Sequence, residues 1–284
     1  MCQSDFEELL LKALEIEKNE DDELKKILEA AGFNFVDLLV EKIKQSEIAI
    51  DEVLQLDYEE VLDIVTSLFS KNKKAPSEKA IRRELKKRGF NSNFSEAVIP
   101  ILNETFNEVA EQMAKDLDSQ FSNKKLSRAS KKAMEKWFKE LPQLMKLTTD
   151  DAVVRAINDA YENGKGIRGL ESALSKMPEF SRRRARMTAI TEGLSNYQAG
   201  TYEAMMQSDS VMGLKWLHTP GYPEPRQAHQ ALHGTVVKKG KFFNVNGYKA
   251  RYPLDPSLPA GERIQCHCHV EPELDEKYLK GGEK

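Results

Sequence analysis

The amino-acid sequence predicts an α+β protein that is mainly α: long helices in the N-terminal and middle regions, then a small C-terminal β-rich module that could hold a zinc site. Three observations carry this. Apolar residues recur at three- and four-residue spacing as far as about residue 208, the period of a helix with one buried face. Beyond Asp209 that period gives way to short β-prone runs separated by Gly, Pro and Asn-Gly, the marks of strands and tight turns. Two of the three cysteines and four of the five histidines then fall between His229 and His269.

Composition narrows the class. With 284 residues, 31% charged and 40% hydrophobic, the chain is long enough for two domains, or for one domain with an extended helical arm, and is expected to be soluble. No apolar run approaches the roughly 20 residues that span a bilayer, and the N-terminus lacks a basic-then-apolar signal pattern, so no membrane partner is expected. Three cysteines, one at position 2, form no disulfide framework and suit a reducing compartment. The net charge of −3 is unevenly spread: residues 1–70 hold 6 Lys and Arg against 19 Asp and Glu, a net −13 that leaves +10 for the rest. An acidic head and a basic body can meet different partners, and the basic part is the one suited to nucleic acid.

Three regions follow in order: an acidic helical domain over 1–72, a basic long-helix region over 73–144, and a third domain over 145–284. In the first, Phe6, Leu9, Leu10, Ala13 and Leu14 share a helical face, as do Leu24, Ile27 and Leu28. A turn at Ala31-Gly32-Phe33-Asn34 precedes a helix carrying Val36, Leu39, Val40 and Ile43, and a further helix runs from Tyr58 through Leu68. The Pro76-Ser77 break marks the next boundary. Ser77 is placed to cap a basic helix from Ile81 to Gly89, in which Arg82, Arg83, Lys86 and Lys87 could contact phosphates or simply form a solvated face. One long helix is expected from Ser95 to Phe121 with Pro100 in its first turns, followed by a basic stretch from Lys124 through Trp137 and Phe138 to Lys139 that could be a second phosphate-binding surface or simply another exposed helix.

Within the third domain, helices fill 145–208, a β module 209–272 and a tail 273–284. Thr148-Thr149-Asp150 could cap a helix ending at Asn163-Gly164, and Gly166 opens a short one. The helix after Pro178 begins Arg182-Arg183-Arg184-Ala185-Arg186. Cations at the positive end of a helix dipole are disfavoured, which calls for an anionic partner there. Gly213 to His218 reads as a strand closed by Thr219-Pro220-Gly221. Residues 235–247 read as hairpins with an Asn246-Gly247 turn, and Tyr252 to Pro259 as a proline-rich loop.

If residues 264–270 are extended, Cys266 and Cys268 share one face and His267 and His269 the other. Upstream, Glu224 to Gly234 reads as a short helix with Pro225 in its first turn, which puts His229 and His233 one turn apart on one face. Two thiolates and two imidazoles, His229, His233, Cys266 and Cys268, would make a tetrahedral structural zinc site. The alternative is that the cysteines are reduced core residues and the histidines surface groups. A small β module buries little apolar surface and gains from a metal staple.

Three blocks in this order resemble the phage Mu F-like head morphogenesis family of minor capsid proteins. They are Arg184-Ala185-Arg186-Met187-Thr188-Ala189-Ile190-Thr191-Glu192 with Asn196; Lys215-Trp216 with Arg226, His229, Leu232 and Gly234; and Cys266-x-Cys268 with Pro272. Together they cover roughly residues 145–272. Arg226, His229, Cys266 and Cys268 match by position, Glu192 lies in the helical block, and His233 stands where relatives often carry an acidic residue. The resemblance implies a low-copy structural protein of the virion, assembled in the host cytoplasm at the portal vertex. Its implied partners are the portal protein, the major capsid or scaffolding protein and, in packaging or ejection, phage DNA. No catalysis is expected. Two other classes are a zinc-dependent hydrolase or nuclease with His229 or His267 as base, and a DNA-binding module. The first is weakened by the lack of an H-E-x-x-H helix, Glu224 being the one acid in the 224–234 helix.

Overall fold

The computed structural model describes residues 19–71, 75–117, 128–219 and 226–275. The expected stripe from Phe6 to Leu14, Phe121, Lys124, Lys125, the Pro220-Gly221 turn, Glu224, Pro225 and the last nine residues of the tail lie outside these. The architecture is α+β and mainly α. Helix α1 is described over 19–30, α2 is Val36–Lys71, α3 Glu78–Leu85, α4 Phe90–Ala97, α5 Ile99–Leu117, α6 Arg128–Glu162, α7 Gly166–Leu174 and α8 Arg182–Gln207. Strand β1 (Val211–Leu217), the short helix α9 (Gln227–Ala231), β2 (Val236–Lys238), β3 (Phe243–Val245), β4 (Tyr248–Ala250), the turn of helix α10 (Ala260–Arg263) and β5 (His269–Leu274) complete it. Among the described residues no helix is long and apolar enough to cross a membrane.

Several helices differ from expectation for local reasons. The stripes of Val36 to Ile43 and of Tyr58 to Leu68 belong to one 36-residue helix, α2, with Ile50, Val53 and Leu54 buried between them. The expected helix from Ser95 is two: α4 ends at Ala97 and α5 begins at Ile99, with Pro100 second in it. Proline suits a first turn, where its missing N–H would have no partner, and disfavours helix in the residue before it. Thr148, Thr149 and Asp150 cap nothing. They lie inside the 35-residue α6, and the two threonine hydroxyls donate to the carbonyls of Leu144 and Met145 one turn back. The turn at Gly32 (φ +83°) and the Ser77 cap, whose hydroxyl accepts from Ala80 N, are as expected.

The chain forms two compact units, one of residues 1–44, 105–122 and 193–284, the other of 45–104 and 123–192. Their boundaries at 44/45, 104/105 and 192/193 fall inside α2, α5 and α8. In the 45–104/123–192 unit, Val61, Val65, Ile81, Leu85, Val153, Ile157, Leu170 and Leu174 form one buried cluster. Arg88 is buried there among Asp57, Asp150 and Lys146. The arginines opening α8 find their anion inside this unit: Glu47 of α2 meets Arg182 at 3.1 Å and Arg186 at 2.6 Å.

In the other unit, Met113 and Ala114 of α5 pack on Ala204 of α8. Gly200 permits the approach, since a Cβ there would stand 2.7 Å from the Phe106 carbonyl oxygen. The β module has two sheets. In the first, β1 is central and antiparallel to both β2 and β5; the second is the β3–β4 hairpin, turned by Asn246 (φ 50°) and Gly247 (φ 87°). β2 therefore pairs with β1 rather than with the hairpin that follows it.

Candidate metal centre

The centre is assembled from three pieces of the β module. β1 carries Trp216, fully buried, and ends beside His218. α9 carries His229, whose ring meets Trp216 edge-on at 5.6 Å. After α10, Gln265 takes a left-handed conformation (φ 58°), and Cys266 and Cys268 follow in the turn before β5. The cysteines thus precede the strand instead of lying on it, and the turn brings both sulfurs toward one imidazole. Arg226 at the head of α9 fastens the α10 turn, donating from Nε to Gly261 O at 2.7 Å and from Nη2 to Ile264 O at 2.6 Å.

His229 Nδ1 lies 3.4 Å from Cys266 Sγ and 3.6 Å from Cys268 Sγ, and the three ligand atoms are all within 4.8 Å of one another. Zinc–sulfur bonds of about 2.3 Å and zinc–nitrogen bonds of about 2.0–2.1 Å at tetrahedral angles put sulfur and nitrogen about 3.5 Å apart, so both separations suit a shared ion. The far side of the ring is also provided for. Nε2 donates to Glu262 Oε2 at 2.9 Å, and Glu262 Oε1 accepts from Asn246 Nδ2 at 3.1 Å. A carboxylate on Nε2 fixes the tautomer that turns the Nδ1 lone pair toward the sulfurs, as second partners of metal-bound histidines commonly do.

All three ligands are withdrawn from solvent: His229 is 1% exposed, Cys266 2% and Cys268 3%. The hydrogen bond with Cys268 and burial raise the Cys266 thiol well above its ordinary value, while the same hydrogen bond, outweighing burial, lowers Cys268. Between the two, the proton is held more firmly by Cys266 than by Cys268. Burial opposes charge on His229, but the Cys266 hydrogen bond and charge, with Glu262, raise its pKa.

His233 is not part of this group. α9 ends at Ala231, short of the turn that would have brought His233 onto the face of His229, and the exposed His233 ring instead accepts the backbone N–H of His218 at 3.2 Å. His267 and His269 are buried and pushed down to about 4 by that burial, so both rings are neutral, and His269 packs on Phe33 at 4.7 Å. Glu192 belongs to the 45–104/123–192 unit, where it accepts from Trp137 Nε1 at 2.7 Å. Of the four basic residues about α3, Arg82 is held by Glu78 and Asp151 at 2.8 Å each, Arg83 and Lys87 both meet Glu84, and Lys86 is exposed. The row is largely neutralised within the chain. Sequence reasoning missed Glu262 and Asn246, since a residue acting from the second layer leaves no spacing to read. It also missed His218, which closes the expected strand from Gly213 and comes to the cysteines through the pairing of β1 with β5.

The family described as "Phage Mu protein F like protein" matches residues 151–271. A relative from Bacillus subtilis (strain 168), "Uncharacterized protein YqbB", is 34% identical over 226 residues, covering 78% of this chain and 70% of that protein. The chain belongs to the phage Mu protein F-like family. No solved structure matches it. Within the Mu F-like region lie Glu192, Trp216, Arg226, His229, Glu262 and both cysteines of the centre, and the family as a whole points to phage head morphogenesis.

Proposed function

We propose that this chain is a minor head protein of a phage particle, structural rather than catalytic, acting in procapsid assembly at the portal vertex and in packaging or ejection of the genome. Its partners are then the portal protein and the major capsid or scaffolding protein, with phage DNA as a further contact, and its place is the virion after assembly in the host cytoplasm. The observation that carries this is membership of the Mu F-like family, matched over residues 151–271. We propose zinc as the ion for the His229, Cys266 and Cys268 group, because two thiols and an imidazole suit a borderline-soft ion that prefers tetrahedral sites. Burial of all three donors supports a structural ion. A hydrolytic zinc needs a position open to water and substrate, so the hydrolase reading gains nothing from this site.

The test is to follow the chain through gradient-purified procapsids from an induced lysate, with and without an intact gene for it. Comigration with portal and procapsid, and particles defective in assembly or DNA content when it is missing, support the reading. A chain absent from both procapsids and virions overturns it.

A further inference from the structure

Resting on the zinc reading above, we infer that His218 is the fourth ligand, so that the ion is enclosed by a Cys2His2 shell contributed by the end of β1, by α9 and by the cysteine turn. His218 Nδ1 lies 3.5 Å from Cys268 Sγ, again the sulfur–nitrogen separation that one tetrahedral zinc imposes, about 3.5 Å. Among the described residues that thiol is the hydrogen-bond partner of the ring. Its Nε2 is buried without a hydrogen-bond partner, a condition that stabilises nothing unless the other nitrogen is engaged.

The backbone is built to hold the ring there. Leu217, the residue before it, is in register with His269 across β1 and β5, one residue beyond Cys268. Thr219, the residue after it, donates from its hydroxyl to the His267 carbonyl at 2.6 Å. The N–H of His218 itself donates to His233 Nδ1 at 3.2 Å. Three consecutive residues are therefore tied to the two segments that bear the other ligands. His233, which the sequence places among the ligands, becomes a positioning residue that holds the backbone of one.

His218 stands outside the close group of three, so completing the shell draws its ring toward Cys266 and His229 while its contact with Cys268 is kept. Four protein ligands leave no position for water. The ion then acts as a clasp that joins segments far apart in sequence, in a module whose strands β2, β3 and β4 are only three residues long and cannot bury much on their own.

The experiment uses the full chain loaded with zinc, or with cobalt as a coloured substitute, and reads the ligand shell by X-ray absorption and affinity by competition with a chelator. The wild type is expected to hold one zinc with two sulfur and two nitrogen ligands. His218→Ala should exchange one nitrogen for water oxygen and weaken binding by more than about 100-fold, beyond the roughly 10–100-fold typical of a second-layer change such as Glu262→Gln. His233→Ala should keep the two-sulfur, two-nitrogen shell. His218→Cys, which can still ligate and so guards against simple misfolding, should give three sulfurs and one nitrogen. A wild-type shell of two sulfurs and one nitrogen, unaltered by either His218 variant, overturns the fourth ligand and leaves the three-ligand zinc standing. A wild-type chain that takes up no zinc overturns both.

Discussion

Replacing Arg88 by Met tests the polar core of the 45–104/123–192 unit. The guanidinium is fully buried, donates to Asp57 Oδ1 at 2.6 Å, to the Asp150 carboxylate and, from Nε, to Leu85 O at 3.2 Å. Lys146 remains on Asp150 at 3.3 Å and on Leu85 O at 2.7 Å. Two unit charges about 4 Å apart at an effective dielectric of about 20 interact by about 4 kcal/mol, and Arg88 serves two carboxylates. Removing the guanidinium also removes its own cost of burial, which leaves a net loss of about 3–5 kcal/mol. The loss should depend on pH in a direction the structure sets. Burial pushes Asp57 up to about 6 even though Arg88 and Lys146 pull it down. Its folded value lies above the ordinary aspartate value of 3.8, so the neutral carboxyl favours folding at low pH and that contribution fades as pH rises through about 6. Without Arg88 the folded value climbs further, and the variant should recover stability as the medium is acidified. Denaturant unfolding followed by circular dichroism at about pH 7.5 and about pH 5.5 measures both effects. A loss under about 1 kcal/mol at the higher pH, or an equal loss at both, refutes the reasoning.

The remaining predictions concern the other unit. Gly200→Ala places a methyl 2.7 Å from the Phe106 carbonyl and 3.0 Å from Ala110 N, so α5 and α8 must separate, at about 1–3 kcal/mol; unchanged unfolding would show that the approach is slack. Asp255 accepts from Arg251 N, Nε and Nη2 and from Ser257 N and Oγ, all at 2.8–3.0 Å. Burial works to raise its pKa, but these bonds and the Arg251 charge hold it below 3.8. Its contribution is therefore present above that value and lost as pH falls below it. Asp255→Asn should cost about 1.5–3 kcal/mol near neutrality and progressively less in acid, read from melting temperatures across pH. Stripping metal with a chelator should lower the melting temperature of the wild type, by the equivalent of about 4 kcal/mol if free zinc stands near 1,000 times its dissociation constant. The doubly substituted Cys266→Ser, Cys268→Ser chain should respond neither to chelator nor to zinc; an equal response in both chains would remove the cysteines from the site.

The sequence alone determined the class and much of the site's chemistry. Helical spacing, the change of period after Asp209 and the Asn246-Gly247 turn are local properties that act over a few residues, and the structure bears them out. So is the gathering of thiols and imidazoles in one region, which is a matter of composition and order. Tertiary structure decided the rest. The stripes at Val36 to Ile43 and Tyr58 to Leu68 are joined by Ile50, Val53 and Leu54, which the fold buries as one continuous helical face, and Thr148 to Asp150, which could have begun a helix, sits within α6. The arginines of α8 face Glu47, 135 or more positions earlier in the chain, a distance no periodicity spans. The same holds at the metal centre. His233 has the helical spacing of a ligand but lies beyond the end of α9, whereas His218 has no spacing in its favour and is carried to Cys268 by strand pairing. Spacing reports which side chains share one local element; which elements converge is set by how the whole chain buries its apolar faces.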